Sequence, residues 1–85
     1  MNVRKVLFKV LLLVPDEYKS NRQYTNAKEF IEHYEPELAL ESFIELVDET
    51  EGSFSNEFWL GLIEAAEKMH LNNKIHYLKG MLQSN

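Results

Sequence analysis

Apolar side chains at Val3, Val6, Leu7, Val10, Leu11 and Val14 recur at three- and four-residue intervals, with Asn2, Arg4, Lys5 and Lys9 elsewhere around the turn. This is the period of a helix with one buried face, and it predicts a first helix ended by Pro15, which has no N–H to give. The valines would permit a strand, but the period and the length favour the helix. The polar residues 16–21 read as a connection with a single helical turn around Glu17, Tyr18 and Lys19. A second helix carries Tyr24, Ala27, Ile31 and Tyr34 on one side, with Phe30 beside them. Asn26 and Glu29 have the spacing of a capping box, which starts this helix there or a turn earlier.

Pro36 ends the second helix and suits the first turn of a third, where a missing N–H costs nothing. The third helix runs to about Thr50, burying Leu40, Phe43, Ile44 and Val47, with Ala39 and Leu46 at the margins and Gly52 closing it. Ser55 is the expected cap of a fourth helix, with Glu57 complementing the dipole in its first turn. Phe58, Leu62, Ala65, Ala66 and Met69 form its inner face, flanked by Trp59 and Ile63. After a turn at Leu71, Asn72 and Asn73, a shorter fifth helix presents Ile75, Leu78 and Leu82 inward, and Ser84 and Asn85 fray. The expected fold is all-α: one domain over 1–85, a compact bundle of four to five short helices with mostly antiparallel neighbours.

Length limits the chain to a single hydrophobic core, since 85 residues cannot fill two. The absence of cysteine excludes a disulfide scaffold and Cys-based zinc sites, and fits a reducing compartment, so a cytoplasmic location is expected. Arg4 and Lys5 before the apolar run resemble the start of a signal peptide, but Lys9 interrupts the run and no small-residue cleavage pattern follows. The run is also too short to span a bilayer as a helix.

Charge changes the picture more than size does. The formal net charge is -5, yet twelve acids and not one Lys or Arg lie between Glu29 and Glu67, while the remainder holds nine bases against Asp16 and Glu17. An even spread would put roughly four bases in that stretch. Such a segment repels phosphate, so neither direct nucleic-acid binding nor an anionic membrane is expected, and a protein partner should be basic. The competing interpretation is a solvated acidic surface that serves solubility.

On the third helix Glu37, Glu41, Glu45 and Asp48 fall on one stripe at about 100° per residue, broadened by Glu49 and Glu51. Like charges at this spacing oppose helix formation by about 0.2–0.5 kcal/mol per pair, so the five close pairs cost about 1–2.5 kcal/mol at low salt. Asp48, Glu49 and Glu51 also sit at the negative end of the helix dipole. A costly choice made several times over is what a docking surface for a cation requires. Reversing Glu41 and Glu45 to Lys should slow association with such a partner and leave the fold intact.

Aromatic side chains lie in or beside this segment, and Phe58 and Trp59, adjacent at a helix start, are not both expected to face one core, which leaves one of them partly exposed as an anchor. Catalysis finds little support. His33, His70 and His76 lack metal-ligand spacing, no nucleophile elbow is present, and Gly52, Gly61 and Gly80 are isolated, so no phosphate loop exists and no cofactor is implied. Gly61 instead suits close helix packing.

Residues 27–46, Ala-Lys-Glu-Phe-Ile-Glu-His-Tyr-Glu-Pro-Glu-Leu-Ala-Leu-Glu-Ser-Phe-Ile-Glu-Leu, resemble a stretch of small bacterial immunity proteins of contact-dependent growth inhibition and related polymorphic-toxin systems (CdiI/MafI-like). The likeness continues through Ser55-Asn56-Glu57-Phe58-Trp59 and Ala65-Ala66-Glu67-Lys68-Met69, about two thirds of the chain. It implies stoichiometric binding of a cognate toxin domain, often a nuclease, rather than an enzymatic activity. A nuclease binds phosphate through Lys and Arg, so an acidic inhibitor gains encounter rate and selectivity. The expected partner-binding residues are Glu32, Glu37, Glu41, Glu45, Asp48, Glu49, Glu51 and Trp59. The alternative is a small helical adaptor or regulatory subunit that binds a basic protein or peptide.

Overall fold

The Asn2 side chain accepts a hydrogen bond from the Arg4 N–H at 2.7 Å and so caps the first helix, α1 (Val3–Leu12). The computed structural model describes residues 2–82, among which α1 is followed by α2 (Arg22–Glu32), α3 (Pro36–Thr50), α4 (Asn56–Lys68) and α5 (Asn72–Lys79), with no strand. The all-α bundle expected from the periodicity is present, with five helices. The fraying expected at Ser84 and Asn85 lies outside the described residues. None of the helices is long and apolar enough to cross a membrane.

The first helix ends before Pro15, as Leu13 and Val14 donate back to the Val10 and Leu11 carbonyls at 2.9 and 3.3 Å. The polar connection holds a 3-10 turn at Asp16–Tyr18. There Lys19 lies 2.9 Å from Asp16, whose hydrogen bond and charge raise the Lys19 pKa above its ordinary value.

α2 starts at the earlier of the two expected places, about a turn ahead of Asn26, which is not its cap. Asn21 caps it by accepting from the Gln23 N–H at 2.7 Å, while Asn26 lies inside the helix and donates to Gln23 Oε1 at 3.3 Å. The earlier start carries Gln23 into a buried position where its Nε2 donates to Glu49 of α3 at 3.1 Å. Tyr34 is not on the inner face of α2. It follows the helix in the left-handed conformation (φ 60°) and is 73% exposed, while the Glu35 N–H closes the end onto the Phe30 carbonyl at 2.8 Å.

Pro36 opens α3 as expected. Its buried face is turned further than the pattern suggested: Ala39 and Leu46 are fully buried and Ile44 only partly, because α2 packs along the Ala39–Leu46 side. Glu51, not Gly52, takes the left-handed position that closes the helix (φ 52°). Gly52 is needed for a different reason: a Cβ there would collide with the Tyr18 hydroxyl.

Ser55 caps α4 by accepting from the Phe58 N–H at 3.1 Å. At Gly61 α4 comes close to α1, and a Cβ there would lie 2.5 Å from Val10 Cγ2. Two packed pairs, α1 with α4 and α2 with α3, share one core because α1 also touches α2 and α3, and α5 rests on α4. Leu7, Leu40, Phe43, Phe58, Leu62 and Leu78 are fully buried there, each such side chain stabilising the fold by about 1.5–3 kcal/mol. The radius of gyration is 11.6 Å, against about 12 Å expected for a folded chain of this length.

Candidate functional site

The amphipathic pattern of α3 dictates where its acids go. With Ala39, Leu40, Phe43, Leu46 and Val47 buried, residues on the opposite side of the same cylinder must face water. Glu37, Glu45 and Asp48 are exposed and Glu41 is half-exposed, so these four share one outer face as the spacing predicted. Glu49 is exposed at the edge nearest α2, held by the Gln23 amide. Glu51 is exposed just past the helix end, on its left-handed residue.

Bases reach this surface unevenly. Lys74 of α5 approaches Glu41 at 3.9 Å, and a shallow groove brings Glu37 beside the α4–α5 turn from His70 to Lys74. The amino-terminal half of the stripe is thus partly balanced. Toward the carboxyl end, Arg22 lines a groove between α2 and α3 together with Glu41 and Glu45, but among the described residues no ion pair reaches Glu45, Asp48, Glu49 or Glu51. No basic residue lies in the last turn of α3. Negative potential therefore concentrates over Glu45, Asp48, Glu49 and Glu51, where the helix dipole adds to it.

Two of the expected site residues do not belong to this face. Glu32 is exposed on α2, but Arg22, Gln23, Asn26 and Phe30 are the residues of α2 that line the groove with α3. Two positions beyond Phe30, Glu32 falls on the far side of the helix. Trp59 is 3% exposed and Phe58 fully buried, which overturns the expectation that one of them stands free. The reason is Phe54, itself buried, whose ring centre lies 4.6 Å from that of Phe58 and 6.5 Å from that of Trp59. Tyr18 stacks on Phe54 in turn at 5.3 Å. The segment ahead of α4 folds over its first turn and buries both aromatic neighbours.

Sequence reasoning missed the groove between α2 and α3. Half-buried Phe30 and exposed Leu38 give it apolar surface between Arg22 on one side and Glu41 and Glu45 on the other. Leu38, one residue past Glu37 on a helix whose apolar set lay elsewhere, was the available signal. Among the described residues no three His, Asp or Glu side chains are grouped to hold a metal ion. No protein family, curated protein or solved structure matches this chain.

Proposed function

We propose that this chain is a binding protein whose α3 surface captures a basic protein domain, and that it serves as an immunity protein neutralising a cognate toxin in the cytoplasm. The observation that carries the first part is the carboxyl-terminal half of the α3 stripe. Glu45, Asp48 and Glu51 stand exposed without an ion-pair partner among the described residues, on a helix that would be more stable without them. Complementary charge speeds encounter and rejects wrong partners, and it is most useful where the partner must be found quickly. The toxin assignment rests on the resemblance of residues 27–46 and of the start of α4 to polymorphic-toxin immunity proteins. A nuclease domain, cationic where it holds phosphate, is the target that such a surface suits best.

The second reading, an adaptor for a basic peptide, is favoured by the α2–α3 groove, where Phe30 and Leu38 would take apolar side chains and Glu41 and Glu45 a Lys or Arg. Co-expression separates the two. The chain should restore growth to cells that make the toxin domain encoded beside it and should co-purify with that domain at one to one. Failure to rescue, with the chain folded and abundant, would remove the immunity reading.

A further inference from the structure

A second surface lies on the α1–α4 pair, and no residue of it lines the acidic site. The close approach of Val10 to Gly61 leaves a groove whose walls are Leu13, just past the end of α1, and Leu60 of α4, the latter 53% exposed. Lys9 stands on the α1 rim, and Glu57 and Glu64 stand on the α4 rim. Among the described residues these three charges make no ion pair, although they border one groove. Leu12, the most exposed large apolar side chain at 79%, continues the apolar surface beyond Lys9.

The rims carry opposite signs throughout. α1 contains no acid, and its outer side bears Lys5 and Lys9, whereas the exposed α4 rim bears Glu57 and Glu64. A surface that is cationic along one edge and anionic along the other is its own complement. A two-fold axis running along the groove lays α1 of each copy against α4 of the other. Each Lys9 then meets the partner's Glu57 and Glu64, and Leu13 and Leu60 close over the apolar floor. The face is also locally neutral. In a molecule of net charge -5, two copies repel least when they approach through it.

We propose that the α1–α4 face is a docking surface for a second copy of this chain. The interface is isologous, so each contact occurs twice and each substitution acts twice. It leaves the α3 acids outward, and its test does not involve the toxin.

Sedimentation equilibrium of the full chain over the micromolar range should show the average mass rising toward twice that of one chain. Leu60→Lys should return a monomer of unchanged helical circular dichroism. Lys9→Glu, and separately Glu57→Lys with Glu64→Lys, should each weaken the dimer at least about tenfold. All three changes together exchange the signs at Lys9 and at Glu57 and Glu64 and should restore it to within about threefold. A chain that stays monomeric overturns the proposal, whatever other protein is later found on Leu60. So does a dimer that survives Leu60→Lys and Lys9→Glu.

Discussion

The Arg4 guanidinium lies 4.4 Å from the centre of the Tyr34 ring, and its Nε donates to the Ile31 carbonyl at 2.9 Å. Phe8 flanks the same group at 5.2 Å. One side chain thus ties α1 to the carboxyl end of α2, giving the Ile31 carbonyl a second donor beside the Tyr34 N–H and placing a cation at the helix's negative pole. Removing it in Arg4→Ala should cost about 1–2 kcal/mol, read by urea denaturation. Arg4→Lys should recover less than half of that, because an ammonium cannot stack and donate in one plane. Full recovery by lysine would mean that charge alone matters.

Tyr34 and His70 occupy the same left-handed position at the ends of α2 and α4, with φ of 60° and 59°. A side chain there costs about 1–2 kcal/mol relative to glycine, before the greater freedom of an unfolded glycine is counted. His70→Gly should therefore stabilise the fold by about 0.5–1 kcal/mol. Tyr34→Gly should be close to neutral, since the strain relieved is offset by the stacking lost from Arg4. Thermal unfolding of the two variants checks the difference, and equal gains would show that the Arg4 contact contributes nothing.

Gly61→Ala should destabilise the protein by about 1–2 kcal/mol, although alanine is the better helix former, because the added methyl meets Val10 Cγ2 across the α1–α4 contact. Val10 is stiff at its branched carbon and cannot swing aside. Combining Gly61→Ala with Val10→Ala should give a loss smaller than the sum of the single losses. Additive losses in the double-mutant cycle would place the strain elsewhere.

Features fixed by local chemistry were legible in the sequence: Pro36 at the start of α3, Ser55 capping α4, and the placement of Glu37, Glu41, Glu45 and Asp48 on one side. Those that depend on a distant neighbour were not. In isolation Asn26 has the better cap spacing, three residues ahead of Glu29, and the choice falls to Asn21 because Gln23 meets Glu49 on another helix. Periodicity alone puts one of two adjacent aromatics outward, but Trp59 is covered by Phe54 from a loop with no period to read. Glu32 joined the acidic set by its place in the chain, whereas the side of α2 that meets α3 is decided by packing.

The acids of α3 should cost stability. Glu45→Lys with Asp48→Lys turns the repulsions 41/45, 45/49 and 48/51 into attractions and puts a cation in the last turn. The gain should be about 1 kcal/mol at low salt, the 45/48 pair staying repulsive as before. The advantage over the unmodified chain should shrink as salt is raised. A gain that ignores ionic strength would be a packing effect and not the removal of charge strain.

The same double variant tests the functional claim, since neither Glu45 nor Asp48 is held by a base as Glu41 is by Lys74. The measurement is the association rate constant with a toxin domain against which co-expression of the chain restores growth, taken by stopped flow across a salt series. The account predicts a fall of at least about tenfold in the double variant at low salt and a flatter salt dependence, with the fold more stable than before. An unchanged rate and an unchanged slope would contradict it, and the carboxylates of α3 would then be surface charge without a partner.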